Sequence, residues 1–256
     1  MINISNEIIN YSKNNEIIIT FSSSSYLPIL EIWLFYIDLY HVDNYCVIAL
    51  DQELYALLLK KGIPVVLMEM SVSIDSSTKD QLWVERISLI SQLLEKGLNV
   101  LHSDADAFWV KDIRKYLLYR NSDLIFSIAY ALPKDVASLW GFILCCGFFK
   151  ITSNARTRKF MKDFLQECRY EGDDQIAINR LLMEKGVVWA FDSNLFNRGY
   201  SPAYLLTLDV LPKKIVSRQV NSSAYIFHPF LSSKYIKGKV DQALSGLDKI
   251  SSKKCE

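Results

Sequence analysis

The sequence predicts an α/β fold with a mostly parallel central sheet flanked by helices, and three observations carry that prediction. Short β-branched runs alternate with amphipathic stretches along the first 130 residues, glycines sit where the helical stretches stop, and one apolar run leads straight into Asp104-Ala105-Asp106.

Each element follows from its residues. Ile17 to Phe21 is an apolar run suited to a buried strand. Ser22 to Ser25 forms a polar loop, and Pro28 fits the first turn of a helix through Ile29 to Tyr40. Cys46 to Leu50 is a second strand, with Asp51 opening a helix that runs to Leu59 and stops at Gly62. Ile63 to Leu67 gives a third strand, with Pro64 at its start, where a missing N–H is tolerated. Lys79 to Lys96 is the longest helical pattern; Gly97 ends it before a fourth strand, Leu98 to His102. This order requires crossovers and therefore parallel pairing.

The second half is more elaborate. Leu124 to Ser127 and Phe142 to Ile151 read as strands joined by a loop from Pro133 to Gly141. Thr152 or Asn154 caps a helix from Arg156 to Cys168, and Asp173 or Asp174 caps another from Gln175 to Glu184. Val187 to Phe191 is a strand, and the stretch containing Asn194, Asn197, Gly199, Ser201 and Pro202 reads as irregular. Val210 to Val216 and Ala224 to Phe227 suggest short strands. With no repeat and no Gly/Ser-rich linker, the reading is one domain over 1–256, with a first half at 1–106, an elaborated second half at 107–231 and a basic, flexible tail at 232–256.

Composition excludes several classes. Half of the residues are apolar, too many for a disordered chain, and 29 basic against 28 acidic residues remove the basic excess of a nonspecific nucleic-acid binder. At 29.5 kDa, surface scaling buries about 73% of the extended chain's area, enough for a core without staples. The five cysteines (Cys46, Cys145, Cys146, Cys168, Cys255) are odd in number and match no zinc or disulfide spacing, which points to free thiols in a reducing compartment. Asn14, Asn15 and Glu16 interrupt the N-terminal apolar residues, so neither a cleaved signal peptide nor a transmembrane segment is expected. No G-x-G-x-x-G follows the first strand, which argues against a Rossmann dehydrogenase.

The stretch from Val100 to Asp112 is the most informative. A strand that ends in Asp104 and Asp106 places both carboxylates at the carboxyl edge of a parallel sheet, where ligands of open α/β folds sit. Residues two apart in extended backbone face the same way, and paired carboxylates repel unless a cation or proton lies between them. A hard divalent ion resolves that repulsion and keeps positions for phosphate oxygens. A turn or cap is the structural alternative.

Taken together, these segments resemble the nucleotide-diphospho-sugar transferase family of the GT-A fold, which includes plant xylosyl- and arabinosyltransferases and related microbial and viral enzymes. The resemblance runs through Val47 to Val66, the Trp83 to Arg86 helix start, Leu93 to Ile113, Ser122 to Ser127, Cys145 to Ile151 and Gly172 to Leu182, in family order. It implies that Asp104 and Asp106 hold Mn²⁺ or Mg²⁺ against a donor diphosphate, that Asp104 also touches ribose or sugar, and that His228 is a third ligand. A histidine nitrogen suits Mn²⁺ better than Mg²⁺. His41 and His102 are less promising.

The same resemblance sets Thr20 and Phe21 around uracil and ribose, Arg86 at the phosphates or against an aspartate, and Gly147 close to the donor sugar. It assigns Lys234, followed by Lys237, to a lid that neutralises the leaving diphosphate. Asp174 falls beside the reacting sugar and Gln175 near its β face or the acceptor; capping is the alternative for the Asp173-Asp174 pair. Cys145 and Cys146 depart from the small polar residue or asparagine usual before this glycine, which leaves the donor sugar open. Trp109 and Trp140 suit either a sugar face or the core.

The expected activity is metal-dependent transfer of a sugar from a nucleoside diphosphate, UDP foremost, to a hydroxyl of a glycan or glycolipid, with retention at the anomeric carbon. The rivals are a metal-dependent phosphohydrolase or nucleotidyltransferase and a noncatalytic carbohydrate-binding protein. The expected location is cytoplasmic, including peripheral association with the inner membrane surface through the basic tail.

Overall fold

The computed structural model describes residues 4–68, 79–129, 131–191 and 197–252. A short helix, α1 (Ile4–Ile9), precedes β1 (Glu16–Ser22), α2 (Leu27–Leu39), β2 (Tyr45–Ala49), α3 (Gln52–Lys60) and β3 (Val65–Leu67). The long helix α4 (Lys79–Glu95) then leads into β4 (Asn99–Ser103). After it come β5 (Phe108–Trp109), α5 (Ile113–Leu117), β6 (Leu124–Ala129), α6 (Lys134–Trp140) and β7 (Ile143–Ile151). The helices α7 (Ala155–Glu171) and α8 (Asp174–Glu184) precede β8 (Val188–Phe191), β9 (Asn197–Ser201), β10 (Leu206–Val210), β11 (Val216–Ser217), β12 (Ile226–Phe227) and α9 (Ile236–Ser252).

Local chemistry sets the boundaries. Asp51 caps α3 by accepting from Leu54 N at 2.8 Å. Asn154 and Thr157 close a reciprocal capping box at the start of α7, and Gly172 ends that helix in the left-handed region at φ 68°.

The main sheet has the order β3-β2-β1-β4-β7-β6-β10-β9-β8. β3, β2, β1 and β4 are parallel, as is the β6–β10 pair, while β7 and β9 run against their neighbours. Alternation along β1 shows why both faces are covered. Ile17 and Ile19 pack with α1, α4, α7 and α8, whereas Ile18 packs on the opposite side with α2, α3 and α5. A second, three-stranded sheet, β11-β12-β5, lies beneath α9.

Four expectations change. The stretch from Pro133 to Gly141 is not a loop, because Val136 is buried and α6 forms there, ending at Gly141 with φ 77°. The irregular reading around Gly199 gives way to β9, whose ladder with β8 and β10 imposes extended backbone on a polar sequence; 192–196 lie outside the described residues. The strand expected at Val210 to Val216 divides into the end of β10 and the start of β11.

The basic C-terminal segment is likewise helical at Ile236–Ser252, with Ala243, Gly246, Leu247 and Ile250 buried at helical spacing. The side chains of Ala243, Leu247 and Ile250 join Phe108 and Phe227 in one apolar cluster.

Four cysteines, Cys46, Cys145, Cys146 and Cys168, are buried free thiols; Cys255 is outside the described residues. Among the described residues no helix is long and apolar enough to cross a membrane.

Candidate metal and nucleotide site

The site forms where β4 ends. Asp104 N donates to Gly147 O at 2.8 Å, so the chain turns out of β4 over the middle of β7. β12 pairs antiparallel with β5, just beyond Asp106, and His228 follows β12 directly. His228 N donates to Ser217 O at 2.9 Å, which fixes its backbone. The small sheet thus brings two segments more than 120 positions apart in sequence to one point. One donor atom each from Asp104, Asp106 and His228 lies within 4.8 Å of the others. His228 Nε2 is 3.2 Å from Asp106 Oδ1 and 3.9 Å from Asp104 Oδ2.

Gly147 makes that arrangement possible. A Cβ there would lie 2.2 Å from His228 Cε1 and 2.7 Å from Asp104 Oδ2. The requirement is steric rather than conformational, since any side chain collides with two of the three converging groups. Two carboxylates and an imidazole form a mixed oxygen and nitrogen donor set that fits a divalent ion of the Mn²⁺ type.

Behind the cluster lies a buried polar network. Arg86, 3% exposed, reaches from α4 and donates through Nε to Asp174 Oδ2 at 2.9 Å, with Nη2 on the same oxygen. Its Nη1 is 3.1 Å from Asp104 Oδ1. The guanidinium also lies over the Trp83 ring, 4.4 Å from the centroid. Burial lowers its proton affinity, but the Asp174 and Asp104 carboxylates more than compensate and keep it charged. Burial pushes the Asp174 carboxyl up to about 6 against the pull of Arg86. At Asp104 burial acts in the same upward direction, yet the His102 hydrogen bond and the Arg86 charge prevail and hold the carboxyl at about 2. Asp104 is therefore held as a carboxylate at neutral pH.

A cleft of about 470 Å³ opens beside these groups, lined by Phe21, Tyr26, Trp83, Arg86, Asp106 and Lys239 among others. Its aromatic walls and cationic and carboxylate floor suit a planar base joined to an anion. Of the residues singled out by sequence, Phe21, Arg86, Asp104 and Asp106 line it. Thr20 is fully buried within β1 and is not part of the lining. Asp173 caps α8 by accepting from Ile176 N at 2.8 Å, while Asp174, one residue on, turns inward to Arg86. Gln175 Nε2 donates to Leu132 O at 3.0 Å, in the connection between β6 and α6. Lys234 is exposed and outside the cleft lining, where Lys239 of α9 stands instead. Trp109 is a core residue whose indole donates to Ser103 Oγ at 3.2 Å, and Trp140 packs against Phe142 and Trp189.

Sequence reasoning missed three residues. His102 carried a signal, since it lies two positions before Asp104 on extended backbone and so on the same side. Tyr26 carried a weaker one, since it follows directly on the loop after β1, and Lys239 carried none, because only the packing of α9 over α2 brings it to the cleft.

Comparison with known proteins identifies the family. The profile of the nucleotide-diphospho-sugar transferase family matches residues 40–241. Arabinosyltransferase XEG113 of Arabidopsis thaliana is 26% identical over 207 residues, covering 72% of this chain and 32% of that protein. The UDP-galactose:fucoside alpha-3-galactosyltransferase of Dictyostelium discoideum is 32% identical over 114 residues, covering 40% of this chain and 16% of its own. The chain therefore spans about a third and a sixth of the lengths of these two relatives. The crystal structure of galactosyltransferase LgtC with donor and acceptor sugar analogs superposes with a TM-score of 0.51 at 12% identity, covering 93% of this chain and 95% of that one, and shares its GT-A-type α/β fold. A match across most of its length, on the segments that build the carboxylate site, makes the chain a member of the nucleotide-diphospho-sugar transferase family.

Proposed function

We propose that the chain transfers a sugar from a UDP-sugar to a hydroxyl of a glycan acceptor, with Asp104, Asp106 and His228 holding Mn²⁺ or Mg²⁺. The observation that carries this reading is the convergence of those three side chains beside the 470 Å³ cleft. When bound, such an ion supplies positive charge to the departing diphosphate.

This chain's own groups do the rest. Phe21 and the serines after β1 offer a wall and polar groups for base and ribose. Gly147, expected beside the donor sugar, instead leaves the room over β7 in which the His228 ring and the Asp104 carboxylate meet. Lys239 faces the cleft and Lys234 lies on the segment after His228; each can add charge opposite the diphosphate. Asp174 steadies Arg86, and in this reading Gln175, at the start of the same helix, is the acceptor-side group. The Asp174 carboxylate is only 3% exposed and committed to Arg86, which leaves it poorly placed to meet an acceptor hydroxyl as a general base. That supports retention over inversion, the latter needing a base on the opposite face of the ring. The lysines at 234, 237 and 239 would also favour an acceptor displayed on an anionic membrane surface.

Calorimetry tests the reading. UDP is expected to bind only with Mn²⁺ present, and Asp106→Ala is expected to abolish that binding. Metal-independent binding of unchanged affinity in the variant would refute the site. Proton NMR of the product formed from an α-linked UDP-sugar should show an α-linkage, whereas a β-linkage would overturn retention.

A further inference from the structure

We propose that Tyr26 and His102 are positioning residues that turn the two carboxylates toward the metal site, a role that rests on the metal-dependent reading above. Each holds one oxygen of a carboxylate and leaves the other free. The Tyr26 hydroxyl donates to Asp106 Oδ2 at 3.3 Å, and the other oxygen, Oδ1, is the one 3.2 Å from His228 Nε2. His102 Nε2 lies 3.0 Å from Asp104 Oδ1, which Arg86 also engages, and Oδ2 is left toward His228. In each carboxylate the oxygen paired with His228 Nε2 is the one that Tyr26 or His102 does not hold.

Hydrogen-bonding capacity agrees with this geometry. A carboxylate oxygen can only accept, so the Tyr26 hydroxyl is the donor to Asp106. His102 Nδ1 is buried without a partner among the described residues. A proton there would be an orphaned buried donor, which is rarer and costlier than an unfilled acceptor. Nε2 also lies 3.2 Å from Arg86 Nη1, which can only donate, but Asp104 Oδ1 at 3.0 Å is the nearer partner and an obligate acceptor, so the proton is assigned to Nε2 and directed at Asp104.

Packing holds both groups in place. The His102 ring is 5.8 Å from that of Phe21 and 5.0 Å from that of Phe149, between centroids. Lys239 Nζ of α9 stands 5.1 Å from the centroid of Tyr26. Supporting hydrogen bonds of this kind commonly govern metal affinity by about 10–100-fold.

The test is the affinity of the metal-free protein for Mn²⁺ without nucleotide, read from the electron paramagnetic resonance of free Mn²⁺. Tyr26→Phe and His102→Phe are each expected to weaken binding by about 10-fold or more. His102→Gln keeps an N–H donor and is expected to stay within about 3-fold of the parent. Tyr26→Phe removes a single oxygen and carries the test if His102→Phe fails to fold. If the parent binds Mn²⁺ and the folded Phe variants bind it equally well, or if Tyr26→Phe weakens only UDP binding, the positioning role is overturned while the metal reading stands. If the parent itself binds no Mn²⁺, the metal reading falls and the positioning role falls with it.

Discussion

Gly147 shows how one position can control a site while contributing no functional group. Its missing side chain leaves room for the His228 ring and the Asp104 carboxylate, which a Cβ would meet at 2.2 Å and 2.7 Å. Gly147→Ala must therefore displace one of the converging groups. Mn²⁺ affinity is expected to fall by at least about 10-fold, measurable by calorimetry on protein whose circular dichroism is unchanged; parent-like affinity would show that the cluster tolerates the methyl. Arg86 shows a different dependence. Its charge is buried and is tolerable only because Asp174 and Asp104 face it. The sequence supplied a basic residue one turn after Trp83 and left its partner open between phosphate and aspartate. The structure places the guanidinium against both aspartates.

At the level of elements, the informative case is α9. Read along the chain, its lysines and glycines suggest a solvated tail, since the flanking charges mask four buried positions spread over eight residues. In the structure those positions form the contact face. Gly246 lies so close to the Phe227 ring that a Cβ would be 2.5 Å from it. The helix thus supports β12, and through it His228, while presenting Lys239 to the cleft. Leu247, 6% exposed, belongs to that cluster. Leu247→Ala is expected to cost about 2–5 kcal/mol, read as a lower urea midpoint with an unchanged slope. An unaltered midpoint would mean that α9 does not dock on the small sheet. The strand–helix alternation of the first half was legible because parallel strands buried on both faces are continuous apolar runs, as at Ile17–Ile19 and Cys46–Ala49. Strand β9 was not legible, because Asn197-Arg198-Gly199 has no strand pattern and owes its conformation to pairing on both sides.

For the whole molecule, the candidate site and stability are coupled. The site joins β1, α2, α4, β4, β7, α8, the small sheet and α9, so a ligand bound there contacts only the folded chain. UDP with Mn²⁺ at about 100 times the dissociation constant should stabilise the protein by about 2.7 kcal/mol, which for a chain of this size corresponds to a rise in Tm of roughly 5–10 °C. Chelating the metal with EDTA should remove the shift; a shift that survives EDTA would dissociate nucleotide binding from the carboxylate cluster. The sequence by itself determined the α/β class, the carboxylate pair at the end of a strand and the family, because these are encoded in contiguous residues whose period and spacing survive without three-dimensional context. Only the tertiary structure decided what completes the site. Tyr26, His102, Lys239 and the pairing of Arg86 with Asp174 depend on contacts between distant segments, and such contacts arise from packing rather than from any local pattern.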